Sequence, residues 1–390
     1  MSKRGNGEGS IYKDGDRWVA AIVTTEEGRR VRRKFTGTTR RQVADRLAEA
    51  LRAQAQGLPV SADRLGVGKY LAEWLEQTAR PRLRERPFQS YRMVVERHLV
   101  PILGSLRLAQ LSPRHVQSYM AAKQKQGLSA RTVQYHHAIL RRALHDAERV
   151  GLVQRNVARL VSPPRVQRAE LVPPTISEVR AFFTSAAGDR DEALFTLAVA
   201  TGLRQSEVLG LTWADLDFES HSLSVRRTLQ RYAGAYHLDE PKTERSRRTL
   251  HMAEPVEVAL RAHRVRQLEE RLRAGDQWQD AWKLVFTDEF GAPRSGIQLT
   301  RRYQALLGRA GLPRQRFHDL RHAAATFMLT QGVGLRTAME VLGHSQIHVT
   351  ANTYSHVMPE LKEDAAKRVS ALLFGGDAAR AAAGENATGR

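Results

Sequence analysis

The sequence TGLRQSEVL occupies residues 201–209 and directly follows an apolar segment at residues 191–200. The apolar segment predicts a buried helix, and Gly202 predicts the turn that ends this helix and opens the next one. Arg204 then falls in the first turn of the new helix, and Glu207 lies one turn further on. Backbone N–H groups and a guanidinium can converge on an anion at such a place, although a surface Arg–Glu pair has the same spacing.

Two motifs with basic and imidazole side chains follow along the chain. PKTERSRR at residues 241–248 places Lys242 in a turn between two predicted strands, where a lysine is commonly just a turn residue. HDLRH at residues 318–322 places His318 and Arg321 on one face of a predicted helix. Its two histidines are one turn apart and could hold a metal ion. No acidic or cysteine partner lies at a recognisable metal-ligand spacing, so we predict no metal site.

The last motif is LGHS at residues 342–345, and Tyr354 follows ten residues after His344. Each motif alone is weak evidence of function. The ordered set of TGLRxSE, a lysine hairpin, HDLRH, LGH and a tyrosine resembles the tyrosine recombinase (phage integrase) family in residue type and in spacing. This resemblance covers nearly the whole chain, and it implies a multidomain DNA enzyme.

The resemblance also implies a role for each residue of these motifs in one active site on DNA. Tyr354 would be the nucleophile, and Arg204 and Arg321 would bind the scissile phosphate. Lys242 would be the general acid for the leaving 5′ oxygen, and His318 would assist proton transfer from the tyrosine. His344 would donate a hydrogen bond to a non-bridging oxygen, and Glu207 would support the site by holding Arg204 or His318.

Phosphodiester transfer requires the chemical groups that these residues provide. Attack by a phenol places extra charge on the equatorial oxygens of the phosphate, which preorganised cations and hydrogen-bond donors stabilise. Arginine adds geometric control through paired hydrogen bonds. A free tyrosine has a pKa of about 10 and needs a base or a positive potential, while the leaving alkoxide needs an acid. No step requires a metal ion, so we expect no metal and no cofactor.

Charge and composition agree with a DNA-binding protein. The chain has 390 residues, with 62 Lys+Arg against 41 Asp+Glu, a net charge of +21 and a pI of about 10.8. Such a charge favours a polyanion partner, most simply nucleic acid, although a secreted basic protein or a ribosomal component has a similar composition. The absence of cysteine excludes disulfides, thiolate metal sites and cysteine nucleophiles, and it fits a reducing cytosol. The polar first ten residues and the lack of a long apolar run predict a cytoplasmic protein that acts on DNA, without a membrane segment.

Two breaks rich in glycine and proline divide the chain, at residues 57–68 and 162–174. They predict a mainly helical multidomain protein with small β-sheets. The parts between the breaks are a segment of sheet and helix at 1–57, a helical segment at 66–160, a mixed α+β segment at 173–374 and a disordered tail at 375–390. The resemblance implies that the first three are an arm-type DNA-binding domain, a core-type DNA-binding domain and the catalytic domain.

The N-terminal segment predicts three strands followed by one helix, with turns at Asp14-Gly15 and at residues 26–28. In the third strand, at residues 29–35, alternation puts three cations on one face, and these are Arg30, Arg32 and Lys34. This face could enter the DNA major groove or could simply be solvated. The segment is similar to the arm-type domain of integrases, which implies that the cations contact DNA.

The second segment predicts a bundle of about four helices. An apolar stripe begins at Tyr91 and is expected to end at Pro101. Ser112 and Ser129 are expected to cap the last two helices, and Gly151 to close the bundle. The segment looks like the family's core-type domain, so basic residues on the fourth helix are candidate DNA contacts, although such a face is usually only solvated. These residues are Arg131, Arg141 and Arg142.

The third segment predicts a helix from Thr175 through Phe183 and strands at 222–228 and 245–251, and then mostly helices. A last helix at residues 369–374 would either dock on a neighbouring protomer or pack on its own domain.

These observations predict a site-specific DNA integrase that cleaves and rejoins DNA through a covalent 3′-phosphotyrosine intermediate. The resemblance implies a homotetramer on two double-stranded DNAs, with core and arm attachment sites and a Holliday junction, that integrates and excises a mobile element such as a phage genome. An excisionase and a DNA-bending protein are candidates for further partners. A type IB topoisomerase would share much of the chemistry but act as a monomer without site choice. A non-enzymatic DNA-binding regulator would need no nucleophile.

Overall fold

The computed structural model describes residues 9–26, 29–55, 65–167, 173–241 and 247–343, together with Val369, Ser370 and Leu373. The chain forms two compact units, Met1–Arg168 and Ala169–Arg390. The predicted fold class, mainly helical with small β-sheets, is confirmed. None of the described helices is long and apolar enough to cross a membrane.

The N-terminal part of the first unit is a three-stranded antiparallel sheet backed by one helix, as predicted. Its elements are β1 (Ser10–Asp14), β2 (Arg17–Glu26), β3 (Arg29–Gly37) and α1 (Arg40–Ala55). The first turn lies one residue later than predicted, because Asp14 pairs with Arg17 and leaves Gly15 and Asp16 as the two-residue loop. Gly15 has a φ of 59°, which glycine adopts without strain. The second predicted turn includes residues 27 and 28, which lie outside the described residues.

The two faces of this sheet differ in the way that alternation predicts. Ala20 and Ile22 of β2 are buried against Val43 and Leu47 of α1. On the opposite face the three cations of β3 are exposed, namely Arg30, Arg32 and Lys34. The helix therefore covers one face and leaves the cationic face open.

The rest of the first unit is a helical bundle. Its α-helices are α2 (Val67–Trp74), α3 (Glu85–Val94), α4 (Val100–Leu103), α5 (Pro113–Lys125) and α6 (Ala130–Arg149). The side chains of Ser112 and Ser129 accept hydrogen bonds at the starts of α5 and α6, which confirms both predicted caps. Burial of apolar residues such as Leu71, Leu99 and Leu140 holds the helices together.

The expectation that a helix ends at Pro101 is wrong. After α3 the chain widens into a π-helical stretch at Val95–Leu99 and continues as α4 to Leu103. Pro101 lies in the first turn of α4, where an α-helix does not need the backbone N–H that proline lacks.

The second unit is mixed, with helices around a small antiparallel sheet in the order β4-β5-β8 and a separate hairpin of β6 and β7. The strands are β4 (Leu216–Asp217), β5 (Ser222–Val225), β6 (Thr228–Tyr232), β7 (Ala235–Asp239) and β8 (Arg248–His251). The helices are α7 (Ile176–Ala186), α8 (Glu192–Thr201), α9 (Gln205–Leu209), α10 (Glu254–Ala274), α11 (Gly296–Arg309), α12 (Phe317–Thr330) and α13 (Leu335–Leu342).

The predicted strand at 222–228 is in fact divided between two sheets. Val225 is the last residue that pairs with β8, while Thr228 begins the β6–β7 hairpin. Ala233 and Gly234 both have positive φ and form the two-residue loop of that hairpin, a turn that their sequence only weakly signals. Of the predicted strand at 245–251, residues 248–251 form β8, while residues 245 and 246 lie outside the described residues.

Helix α8 is the centre of this unit. Most of its side chains are buried, and Phe195 packs edge-on or tilted against Phe182, Tyr303 and Phe317 from three other helices. Because α8 is surrounded by packed side chains, its C-terminal end at Thr201 is held in a fixed place. The candidate site begins there.

Candidate active site

The site is built where the ends of α8 and α13 meet. Gly202 follows α8 in the left-handed conformation, with a φ of 63°. A Cβ atom at Gly202 would fall closer than 3.0 Å to Leu342 at the end of α13. Only glycine fits both the conformation and the approach, and it turns the chain so that Arg204 lies immediately before α9.

Arg204 and Glu207 form an ion pair in which the glutamate is buried and the arginine is partly exposed. Arg204 donates from Nη1 to Glu207 Oε1 at 2.7 Å and from its backbone N–H to Oε2 at 3.0 Å. Glu207 is only 2% exposed, whereas about a third of the Arg204 side chain is exposed. The alternative of a surface pair is therefore wrong, and Glu207 holds Arg204 rather than His318.

Arg321 of α12 links the end of α8 to the end of α13 through hydrogen bonds. It donates from Nη1 to the carbonyl oxygen of Gly202 and from Nη2 to that of Leu342, both at 2.6 Å. Arg321 is 1% exposed. A phosphate can therefore reach its remaining N–H groups only if the covering atoms move.

A third arginine, Arg248 of β8, completes the cluster. It donates from Nε to the carbonyl oxygen of Val341 at 2.6 Å and from Nη2 to Glu207 Oε2 at 3.1 Å. Arg204 in turn donates from Nη2 to the carbonyl oxygen of Gly343 at 3.1 Å. Three consecutive carbonyls at the end of α13 thus each accept a hydrogen bond from a different arginine.

The cluster is strongly positive. Among the described residues, Arg204 and Arg248 share the carboxylate of Glu207, and Arg321 donates to a carbonyl beside them, so these four side chains have an excess of two positive charges. Burial alone would raise the pKa of Glu207, but Arg248 and Arg204 outweigh this effect and lower the pKa below its usual value. The carboxylate therefore stays ionised, and the whole arrangement attracts an anion.

His318 lies beside the same cluster at the start of α12. The imidazole is exposed in the chain alone, yet the atoms packed around the ring disfavour its charged form, and the positive charges of His322, Arg321 and Arg204 disfavour it further. Together they lower the pKa of His318 to about 4. His318 is therefore neutral at pH 7.

The structure brings together four of the predicted site residues, Arg204, Glu207, His318 and Arg321. The other three, Lys242, His344 and Tyr354, lie outside the described residues. Among the residues that are described, no group of three or more histidine and carboxylate side chains is placed to hold a metal ion. Arg248 was missed because its partners are the backbone carbonyl of Val341 and a glutamate distant in sequence.

A basic concavity in the helical bundle is a second candidate site. It encloses about 700 Å³ and contains the predicted residues Arg141 and Arg142, while Arg131 is exposed at the start of α6. The sequence could also have predicted Arg149 as a lining residue, because it lies two turns after Arg142 on α6. Arg82 and Arg159 could not be predicted in this way, because they lie in other segments. The lining residues are Arg82, Tyr91, Ala138, Arg141, Arg142, His145, Asp146, Arg149 and Arg159. Such a surface can bind phosphate groups.

Comparison with known families identifies two matching regions. The phage integrase family matches residues 175–360, and the N-terminal SAM-like domain of phage integrases matches residues 67–123. A tyrosine recombinase XerC-like protein of Caldanaerobacter subterraneus subsp. tengcongensis is 31% identical over 395 residues, covering 96% of this chain and 100% of that protein. An integrase of Streptomyces ambofaciens is 29% identical over 369 residues, covering 90% of this chain and 93% of that protein.

Two solved structures share the fold. The Tn1549 transposon integrase in complex with transposon right end DNA has a TM-score of 0.65 at 22% identity, covering 78% of this chain and 100% of that chain. A lambda integrase dimer bound to a COC′ core site has a TM-score of 0.56 at 15% identity, covering 90% of this chain and 96% of that chain.

Proposed function

Since this chain belongs to the phage integrase family of tyrosine recombinases, we propose that it integrates and excises a mobile element by cleaving and rejoining DNA through a 3′-phosphotyrosine intermediate. The observation that carries this proposal is the convergence of Arg204, Arg321 and Arg248 on the end of α13, directly before His344. This convergence gives a rigid positive site for one phosphate next to the segment that contains Tyr354.

In the proposed reaction, the Tyr354 oxygen attacks the scissile phosphorus while the bond to the 5′ oxygen breaks. His318, neutral at pH 7, takes part in removing the phenol proton, and Lys242 donates a proton to the departing 5′ oxygen. The phosphotyrosyl bond conserves the energy of the phosphodiester. The 5′-OH of a partner strand can then attack the phosphorus and release the tyrosine, so rejoining needs no external energy source.

The arginines act on the charge of the phosphate. Arg204 and Arg321 would donate to its non-bridging oxygens, and His344 would add a further hydrogen bond. Glu207 acts indirectly, because it holds Arg204 by two hydrogen bonds. Since Arg321 is buried in the chain alone, binding of DNA would also rearrange the atoms that cover it.

Two separate surfaces would bind the DNA outside the active site. The basic concavity containing Arg141 and Arg142, together with Arg131, would contact the core site. The exposed sheet face with Arg30, Arg32 and Lys34 would contact arm sites. These assignments correspond to three functional parts at residues 1–57, 66–160 and 173–374.

The active assembly would be four protomers on two DNA duplexes, exchanging strands through a Holliday junction. Val369 and Leu373 are helical, one turn apart and more than half exposed, which supports docking of this last helix on a neighbouring protomer. An arm-type domain favours a mobile-element integrase, with an excisionase and a DNA-bending protein as further partners.

The test uses a suicide DNA substrate made from the mapped integration junction and nicked beside the scissile phosphate. We expect the full-length protein to form an SDS-stable adduct that Tyr354→Phe abolishes. Tyr232→Phe is the matched control, because Tyr232 lies on the β6–β7 hairpin, outside the motifs of the proposed reaction. Adduct formation by Tyr354→Phe at the wild-type level would overturn the assignment of the nucleophile.

The arm-type assignment has its own test. Deleting residues 1–57 should remove binding to arm-site DNA while core-site cleavage continues in part. Loss of core cleavage with arm binding intact would contradict the division of the DNA surfaces.

A further inference from the structure

Arg248 is the one arginine of the cluster to which the proposed chemistry gives no role. Its side chain is only 7% exposed, and it is the first residue of β8, which pairs with β5. Its neighbour Arg247 pairs with Glu240 and is about half exposed. Strand alternation places Arg248 on the same face of β8 as the buried Leu250, and its hydrogen bonds then join it to the site.

One guanidinium connects two separate parts of the site. Through Nε it holds the Val341 carbonyl at 2.6 Å, and through Nη2 it holds Glu207 at 3.1 Å. The backbone of Gly343 also packs on it, since a Cβ atom there would lie 2.8 Å from Nη1. Arg248 therefore links the end of α13 to the carboxylate that holds Arg204.

The charges explain why this link matters for Arg204. Glu207 is buried and accepts from the side chain and the backbone of Arg204 as well as from Arg248. Without Arg248, the ion pair of Glu207 among the described residues would be the one with Arg204. Arg204 would then be drawn more fully onto the carboxylate, and fewer of its N–H groups would be available to a phosphate.

We propose that Arg248 is a positioning residue, which shares the charge of Glu207 and fixes the end of α13 so that Arg204 points its free N–H groups at the scissile phosphate. This inference rests on the proposed recombinase function. It differs from a purely structural role because its effect should depend on the negative charge of the phosphate.

The experiment compares single-turnover adduct formation on two suicide substrates that differ only at the scissile position. One has the ordinary phosphodiester, and the other has a methylphosphonate, which is uncharged and so needs less help from a positioned cation. The variants are Arg248→Met, Arg248→Lys and Arg204→Ala. Arg294→Met is the matched control, because Arg294 is also a buried arginine of this unit and pairs with Asp191 away from the cluster.

We expect Arg248→Met to slow cleavage of the phosphodiester by about 100-fold with core-site affinity nearly unchanged, as for loss of one preorganised donor. On the methylphosphonate the loss should shrink to less than about 10-fold, as it should for Arg204→Ala, since removing the charge removes much of the need for the cation. Arg294→Met should slow both substrates by the same factor.

Arg248→Lys keeps the proposal testable if the methionine variant does not fold. A lysine retains the charge but lacks the planar fork that serves two partners, so it should give an intermediate rate with the same dependence on substrate. Equal losses on the two substrates for the Arg248 variants, as for Arg294→Met, would overturn the positioning role. A wild-type protein that forms no adduct would instead contradict the proposed function itself.

Discussion

Replacing Gly202 by alanine tests the contact on which the whole site depends. Gly202 has a φ of 63°, and an added Cβ would overlap Leu342 and lie 3.3 Å from the Cβ of Ala324. Its carbonyl also accepts a hydrogen bond from Arg321. The substitution therefore disturbs the backbone conformation, the packing of α13 and the position of a site arginine together.

The expected cost has two parts. A left-handed conformation costs a non-glycine residue about 1–2 kcal/mol, and overpacking a close contact costs about 1–3 kcal/mol, so we expect about 2–5 kcal/mol in total. Gly188 provides the matched control, because its φ is 72° but a Cβ there would meet nothing within 4 Å. Gly188→Ala should lose only the conformational part, about 1–2 kcal/mol.

Calorimetry of the full-length protein measures both losses. At about 2–4 °C per kcal/mol for a unit of this size, Gly202→Ala should lower the Tm by about 4–20 °C, and Gly188→Ala by only about 2–8 °C. Single-turnover cleavage should slow for Gly202→Ala and stay near the wild-type rate for Gly188→Ala. Equal Tm shifts for the two variants would refute the close approach of α8 and α13.

Three further substitutions test the charges. Glu207→Gln should slow cleavage by about 100-fold. Because the folded pKa of Glu207 is lowered, the wild type should be more stable than this variant above about pH 4.5 and lose that advantage as pH falls, which pH-dependent urea unfolding measures. Burial lowers the pKa of His136 from 6.5 to about 4. As the pH falls from 7 to 4, the unfolded chain takes up a proton at this histidine more readily than the folded bundle does, so the bundle should lose about 3 kcal/mol of stability. Hydrogen exchange should show a smaller loss in His136→Gln. Asp191→Ala leaves the buried Arg294 unpaired and should cost about 3–5 kcal/mol in thermal unfolding, whereas a loss below about 1 kcal/mol would show that the pair is solvated.

Local chemistry made much of the fold predictable. Ser112, Ser129 and Thr175 each precede a helix and cap it, because their side chains accept from backbone N–H groups only a few residues away. The alternation of Arg30, Arg32 and Lys34 likewise follows from strand geometry alone.

Errors arose where neighbouring structure overrides a local preference. Proline normally ends a helix, but the π-helical stretch before Pro101 places that residue in a new first turn. The strand is interrupted after Val225 because the residues before this point pair with β8, whereas the residues from Thr228 onward pair with β7. Such pairing is a long-range choice that no short stretch of sequence contains.

The active-site motifs were predictable because side-chain chemistry requires particular residue types, but the way they are held was not. Arg204 and Arg321 were found from their motifs, whereas nothing marked the carbonyls of Val341, Leu342 and Gly343 as their partners or as the partner of Arg248. Every residue has the same backbone carbonyl, so an acceptor of this kind leaves no trace in the sequence.

These carbonyls help to hold the three guanidiniums close together in the absence of DNA. Like charges this close repel one another, and Glu207 balances only one of them. The C-terminal end of α13 offsets part of the remaining positive charge, because its last carbonyls have no partner within the helix and together act like about half a negative charge. Once the atoms that cover Arg321 have moved, a phosphate would meet guanidiniums that these hydrogen bonds already hold, and their positive charge would stabilise the negative charge of the transition state. Substitutions that shift α13 should therefore slow cleavage even where they touch none of the arginines.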